Sequence, residues 1–313
     1  MIYTLGDVIA DLSLHIEHFP IRAQDLKPVS YLEIGPGGAT NIAIMAARFG
    51  LAVGCLGEIG DDQFGSAVRQ GLAREGIDTT YLITRAESKT PVAGVIVDAA
   101  REPAYLGYMG ALAVRRLPDE WRKAIQSAQA LFADGWIEIP EMAQMILDAF
   151  ALARAAHVPT FFDPGPGNGM FDNAWHLDAA ARATVLLLNA EEAQRLTGGK
   201  DALQAAHALM ANGSELVVLK RGAEGLVLGT RERVVVSPGF PVKVRDLTGA
   251  GDSLTGAVLY AYLHNMDLEA MGVLANATGA AKVQKRGTGH NMPTLEEIRR
   301  VLERAAPDKV TLI

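Results

Sequence analysis

Asp246–Ala257 reads DLTGAGDSLTGA, with three glycines, two threonines and two aspartates between the strand-like PVKVRD (Pro241–Asp246) and the helix-like SLTGAVLYAYL (Ser253–Leu263). Glycine lets backbone N–H groups close in on an anion, and the start of the following helix is electropositive. Asp252 nevertheless puts a carboxylate at that same helix start. One reading makes Asp252 a helix N-cap, a role worth about 1 kcal/mol. The other has Gly249, Ala250 and Gly251 present N–H groups to a transferring phosphoryl group while Asp252 takes the proton of the attacking alcohol. No G-x-x-x-x-G-K-[ST] and no G-x-G-x-x-G occurs in the chain, which sets aside a Walker-type loop and a Rossmann dehydrogenase.

Outward from this loop, short apolar runs alternate with helix-period segments. Strands are predicted at Ile2–Leu5, Ala52–Ile59, Ala130–Asp134, Thr160–Asp163, Val185–Leu188 and Leu216–Lys220, and helices at Thr40–Phe49 and Gln63–Glu75, the latter stopped by Gly76. The alternation predicts an α/β fold whose mainly parallel sheet is covered by helices on both faces. Leu12–Ile34 and Thr90–Gly110 break it, being β-rich without intervening helices, and are expected to form a small projecting sheet. No repeat or linker divides the chain, so a single domain over 1–313 is expected, with that lid drawn from about 12–34 and 90–110.

Composition narrows the class. A chain of 313 residues that is 49% apolar, 21% charged and 6% aromatic is expected to be globular and soluble. A net charge of −7 argues against a nucleic-acid partner, and the basic cluster KVQKR (Lys282–Arg286) is read as a solvent-facing helix end. Cys55 is the single cysteine, so no intrachain disulfide can form. No apolar run reaches the roughly 18 residues of a membrane span, and the N-terminus is not signal-like, so a cytoplasmic location without membrane contact is expected.

Three further stretches carry polar residues that ligands can use. In IGPGGATNIAIMAARFG (Ile34–Gly50), Gly37, Gly38 and Asn41 read either as a turn and cap or as a site for hydroxyl groups. Asp11, after the first strand, reads either as a surface carboxylate or as an acceptor for two neighbouring sugar hydroxyls. In LLLNAEEAQRLTG (Leu186–Gly198), Asn189 caps a helix naturally; a functional alternative has Asn189 and Glu192 organise water and Mg²⁺ near nucleotide phosphates.

Taken in order, GDVIAD, GPGGATNIAIMAARFG, LGEIGDDQFG (Leu56–Gly65), LLLNAEEAQRLTG, VVLKRGAEGLVL, DLTGAGDSLTGA and LANATGAAKVQKRGTG (Leu274–Gly289) resemble the ribokinase-like sugar kinases, also called the phosphofructokinase-B carbohydrate kinase family. The resemblance runs nearly end to end. It implies a three-layer α/β sandwich with a β-sheet lid, a lid-mediated homodimer, ATP and Mg²⁺. Residue by residue it implies Asp252 as base, Gly249, Ala250 and Gly251 as the anion loop, and Asp11, Gly37, Gly38 and Asn41 on the acceptor. It further implies Asn189 and Glu192 near Mg²⁺ and phosphate, and Lys220, Gly222, Gly225 and Asn276 on the nucleotide side. Many members hold a monovalent cation, K⁺, beside the loop; Asp246, Thr248 and Gly287 occupy the matching positions.

The departures bear on the acceptor. The glycine pair stands three residues before Asn41, where many members have one residue more, so the roles of Gly37 and Gly38 depend on which takes the paired position. Leu254 replaces a usual aromatic, and FFDPGPGNG (Phe161–Gly169) lacks the arginine that some members use for acidic or phosphorylated sugars. The expected activity is transfer of the γ-phosphoryl group of ATP to a hydroxymethyl group of a small sugar. The alternatives are a nucleoside acceptor, for which Trp136, Tyr105 and Tyr108 are candidate base-stacking residues, and a catalytically silent sensor.

Overall fold

The computed structural model describes all residues except 102, 111–113, 137–138, 166–172 and 200. Its central sheet has nine strands: β1 (Ile2–Leu5), β4 (Val53–Gly60), β5 (Leu82–Arg85), β8 (Ala130–Asp134), β9 (Thr160–Asp163), β10 (Val185–Asn189), β11 (Leu216–Lys220), β12 (Leu226–Thr230) and β13 (Val234–Ser237). Their spatial order is β13-β12-β11-β10-β9-β8-β1-β4-β5. From β11 to β5 every pair is parallel, while β11, β12 and β13 pair antiparallel at one edge.

The inner strands are apolar along most of their length because both faces are covered. Along β10, Val185 and Leu187 point into one core while Leu186 and Leu188 point into the other, and β8 and β11 alternate in the same way. The first core is closed by α1 (Ala39–Arg48), α2 (Gln63–Arg74), α8 (Ala250–Leu263), α9 (Leu268–Lys282) and α10 (Leu295–Ala305). The second is closed by α3 (Asp119–Gln126), α4 (Pro140–Ala155), α5 (Asn173–Arg182), α6 (Ala190–Thr197) and α7 (Ala202–Ala211). Leu254 is buried in the first core, so its departure from an aromatic is a matter of packing. No described helix is long and apolar enough to cross a membrane.

A separate four-stranded sheet, ordered β3-β2-β6-β7, is built from β2 (Val8–His15), β3 (Tyr31–Gly38), β6 (Val92–Val97) and β7 (Pro103–Tyr108). It starts earlier than Leu12, because Val8 directly follows the turn after β1, and it ends at Gly38, where α1 begins. β2 pairs antiparallel with β3 and parallel with β6, and β6 pairs antiparallel with β7. Period-two alternation gives the sheet two unlike faces. Asp11, Ser13 and His15 lie on one. Register places Leu12 with Ile34 and Gly94, and Leu14 with Leu32 and Ile96, on the other.

Two expectations fail. PVKVRD is not a strand: the edge of the sheet is already taken by β13, and the N–H groups of Arg245 and Asp246 donate to Val283 O at 2.7 and 3.3 Å instead. The KVQKR cluster is not uniformly solvent-facing either. Lys285 pairs with Glu297 at 2.9 Å, but Lys282 turns inward and is 0% exposed.

Candidate active site

Four parallel strands end on a polar residue after an apolar run: Asp134 on β8, Asp163 on β9, Asn189 on β10 and Lys220 on β11. Register sets Asp134 beside Asp163 and Asn189 beside Lys220 at the carboxyl edge of the sheet, where open α/β sheets bind ligands. Lys220 Nζ donates to Asp163 Oδ2 at 2.5 Å. Burial alone lowers the Lys220 pKa, yet Asp163 and Glu192 hold it above the ordinary lysine value. Asn189 and Glu192 form a reciprocal capping box at α6: Glu192 N–H donates to Asn189 Oδ1 at 2.9 Å, and Asn189 N–H and Nδ2 donate to the Glu192 carboxylate at 2.7 and 2.8 Å. Burial, reinforced by Asp163, pushes Glu192 up to about 7. Burial also drives Asp134 well above the usual carboxylate range, with Asp7 and Asp163 adding to the rise.

The glycine loop faces this edge. Gly249 is the N-cap of α8 in a left-handed conformation (φ 73°, ψ 6°), which a side-chain-bearing residue adopts only with strain. Asp252 is therefore in the first helical turn and is not the cap. Its Oδ2 accepts from Asn41 Nδ2 at 2.9 Å. Burial, then Asp163, push Asp252 up to about 6, against the Asn41 hydrogen bond and the charges of Lys220 and Lys282. Ala250 N–H donates to Leu247 O at 3.2 Å. The N–H groups of Gly251 and Asp252 belong to the first turn, which supplies no intrahelical acceptor. A Cβ on Gly251 would stand 3.5 Å from Lys220 Nζ, so the loop and β11 converge.

Asp246 and Gly287 lie behind the loop rather than on it. Asp246 Oδ1 accepts from Thr248 N–H and Oδ2 from Gly287 N–H, both at 2.8 Å. His15 Nε2, from the small sheet, approaches Asp246 Oδ2 to 3.2 Å.

On the other side, Asp11 is buried, which removes its surface reading. Its Oδ2 accepts from Thr288 Oγ1 at 2.6 Å, and burial raises it to about 7, with Asp252 adding to the rise and the Thr288 hydrogen bond opposing it. Asn41 sits inside α1 and is no cap; its Oδ1 accepts from Gly289 N–H at 3.0 Å while its amide holds Asp252. The two glycines divide their work. A Cβ on Gly37 would fall 2.1 Å from Asp11 Cγ, so Gly37 makes room for the carboxylate. Gly38 is the N-cap of α1 at φ 61°, packed on Asp7 O.

One cavity of about 460 Å³ is lined by Asp11, Gly38, Asn41, Asn189, Glu192, Lys220, Thr248, Gly249, Gly251 and Asp252. Tyr105, Tyr108 and Trp136 line it too, and the rings of Tyr105 and Trp136 meet edge to face at 5.8 Å. They are about half exposed and so belong to the cavity wall rather than to the core. Residues 137–138, and positions 166–169 of the FFDPGPGNG stretch, lie outside the described residues. Gly225 and Asn276 gather further off, around Ser237–Gly239, and Gly222 O accepts from Gly225 N–H at 3.1 Å. Asn276 Nδ2 donates to Ser237 Oγ at 2.9 Å and to Pro238 O at 3.1 Å. A Cβ on Gly225 would strike Ser237 O at 2.1 Å. Asp163, Thr288 and Lys282 were not marked as site residues by the sequence. Asp163 carried a signal, a polar residue closing an apolar strand in TFFD, as Asp134 closes ALFAD.

The pfkB family carbohydrate kinase profile matches residues 1–295. The chain is 27% identical over 306 residues to the ribokinase of Haemophilus influenzae, covering 96% of this chain and 98% of that one. It is 28% identical over 294 residues to the nucleoside kinase of Methanothermobacter thermautotrophicus, covering 94% and 92%. In fold it matches a putative ribokinase II from E. coli in complex with ATP and Mg²⁺, with a TM-score of 0.83 at 20% identity over 97% of this chain and 99% of that one. With the profile spanning almost the whole length, the chain belongs to the pfkB carbohydrate kinase family and is a phosphotransferase with an alcohol group as acceptor.

Proposed function

We propose that the chain transfers the γ-phosphoryl group of ATP to a hydroxymethyl group of a small sugar, with Asp252 as general base. The observation that carries this reading is the Asp252 carboxylate, which is held by Asn41 in the same cavity as the glycine loop and Asp11. An alcohol held by Asp11 presents its hydroxyl to Asp252, which takes the proton as oxygen bonds to phosphorus. The N–H groups at the start of α8 face the negative charge that develops on the phosphoryl oxygens. Lys220, Asn189 and Glu192 lie on the phosphate side of the cavity, and Gly222, Gly225 and Asn276 shape the nucleotide end. Enclosure beneath the small sheet keeps water from competing with the alcohol.

Mg²⁺ suits this site. Burial, then the charge of Asp163, raise Glu192, so a cation beside the two carboxylates is favoured, and Mg²⁺ is commonly held through few protein groups and several waters. It would neutralise phosphate charge when bound. K⁺ does not suit Asp246, Thr248 and Gly287, because the buried Lys282 ammonium, attracted by Asp246, already brings a positive charge to that place.

A nucleoside is the second reading, favoured by the Tyr105–Trp136 pair in the cavity wall. Acceptor-dependent ADP release is expected with at least one of ribose, fructose, 2-keto-3-deoxygluconate, adenosine, inosine, cytidine and pseudouridine. A clear preference among these separates sugar from nucleoside, and ATP turnover indifferent to every one would leave the sensor reading.

The outer face of the small sheet also supports a homodimer. Leu32 and Leu106 are 64% and 67% exposed, and Ile34 joins them, in cross-strand rows with Leu12 and Leu14. Sedimentation velocity is expected to give a dimer for the wild type and a monomer for Leu106→Glu. A wild type that sediments as a monomer at tens of micromolar rules the interface out.

A further inference from the structure

Lys282 ends α9, and its side chain is 0% exposed. Its Nζ has no hydrogen-bond partner among the described residues. An unpaired ammonium in the interior is strongly disfavoured unless nearby charge compensates it. The position explains what does. Lys282 Cε lies 3.3 Å from where a Cβ on Gly249 would stand, immediately behind the glycine loop. Asp246 and Asp252 attract the ammonium through space, while the Asp246 oxygens accept from Thr248 and Gly287 N–H.

We propose that the Lys282 ammonium is the fixed positive charge beneath the Gly249–Gly251 loop, so that phosphoryl transfer by this chain requires no monovalent cation there. The misfit of K⁺ at Asp246 and the buried, unpaired lysine are two sides of one arrangement. Where little water screens it, a charge behind the loop reinforces the N–H groups that meet the developing phosphoryl charge. Lys282 touches the loop and not the substrate, so it is a positioning residue. Its effect on turnover rests on the kinase reading above, whereas the placement of the charge does not.

The groups facing Lys282 set the pH over which it acts. Burial pulls it down to about 8, Asp246 and Asp252 oppose the fall, and Lys285 adds to it. His15, from the small sheet, faces the same carboxylate, and burial lowers its own pKa. The ammonium is charged below about 8 and is lost as pH rises through that value. An alkaline fall in kcat is therefore expected in the wild type and not in Lys282→Met.

The deciding experiment compares the full-length wild type, Lys282→Ala and Lys282→Met, the last keeping the volume should alanine fail to fold. At constant ionic strength, wild-type kcat is expected to be the same in potassium chloride and tetramethylammonium chloride. Both variants are expected to lose about 10- to 10³-fold in kcat with little change in the KM for ATP. In Lys282→Ala, K⁺ or methylammonium should restore part of that loss, which a purely structural defect would not allow. Several-fold stimulation of the wild type by K⁺, or wild-type kcat in Lys282→Met, overturns the proposal. Crystals soaked in rubidium chloride give a readout free of activity: an anomalous peak beside Asp246 is expected in Lys282→Ala only. A peak in the wild type, or none in Lys282→Ala, overturns the assignment even if no acceptor is turned over; silence with every acceptor counts against the kinase reading alone.

Discussion

Asp252→Asn is expected to lower kcat by about 10²- to 10⁴-fold while ATP still binds, because the amide keeps the shape of the carboxylate and cannot take the proton of the alcohol. Its contact with Asn41, 2.9 Å in the wild type, is retained if the new side chain turns its carbonyl oxygen toward Asn41 Nδ2. A folding defect is therefore a poor explanation for the loss. The pH profile adds a second signature. A base must be ionised to act, and burial and Asp163 raise Asp252 to about 6, so its activity is lost as pH falls through that value. Asp11 and Glu192, each raised by burial to about 7, titrate just above. Below pH 6 the wild-type fall in log kcat/KM should steepen by one further proton, and the variant should lack that step. Near-wild-type turnover in Asp252→Asn, measured by ADP release, removes the base assignment.

How far the site can be read in the sequence depends on whether a residue's role is local. The apolar strands were legible because a sheet covered on both faces needs uninterrupted runs such as VLLL and LVVL, whatever lies around them. The capping box was equally local: Asn189 and Glu192 are three residues apart and satisfy each other. PVKVRD misled because its alternation is that of a strand, while pairing depends on a neighbour and β13 already ended the sheet. Lys282 misled for the same reason in reverse. A helix-terminal lysine is ordinarily solvated, and only the docking of α9 against the glycine loop turns it inward. Asp252 lies between these cases: the triplet before it reads as a cap, and its contact with Asn41 spans 211 residues of chain.

Gly37→Ala is expected to damage the acceptor side by about as much as one misplaced catalytic group, roughly 10²-fold in kcat/KM for the acceptor. The added methyl would meet Asp11 Cγ and Oδ1 at 2.1 Å and Oδ2 at 2.5 Å, far inside contact distance, so the carboxylate must leave its place. Asp11 cannot turn aside freely. It is buried, and the Thr288 hydroxyl fixes its Oδ2 at 2.6 Å. Moving it also disturbs Thr288, whose neighbour Gly289 donates to Asn41, and Asn41 in turn holds Asp252. The damage thus spreads from acceptor binding into alignment of the base, and both KM and kcat for the acceptor should worsen. The phosphate side is built from different strands, β9, β10 and β11, so affinity for ATP measured by calorimetry should change little. Gly38→Ala provides the contrast: its φ of 61° and the 2.4 Å approach to Asp7 O place the strain on the backbone that starts α1, so it should lower the melting temperature. If Gly37→Ala instead left acceptor kinetics unchanged, Asp11 would not be a group that holds the alcohol, because no arrangement of that methyl leaves the carboxylate where it stands.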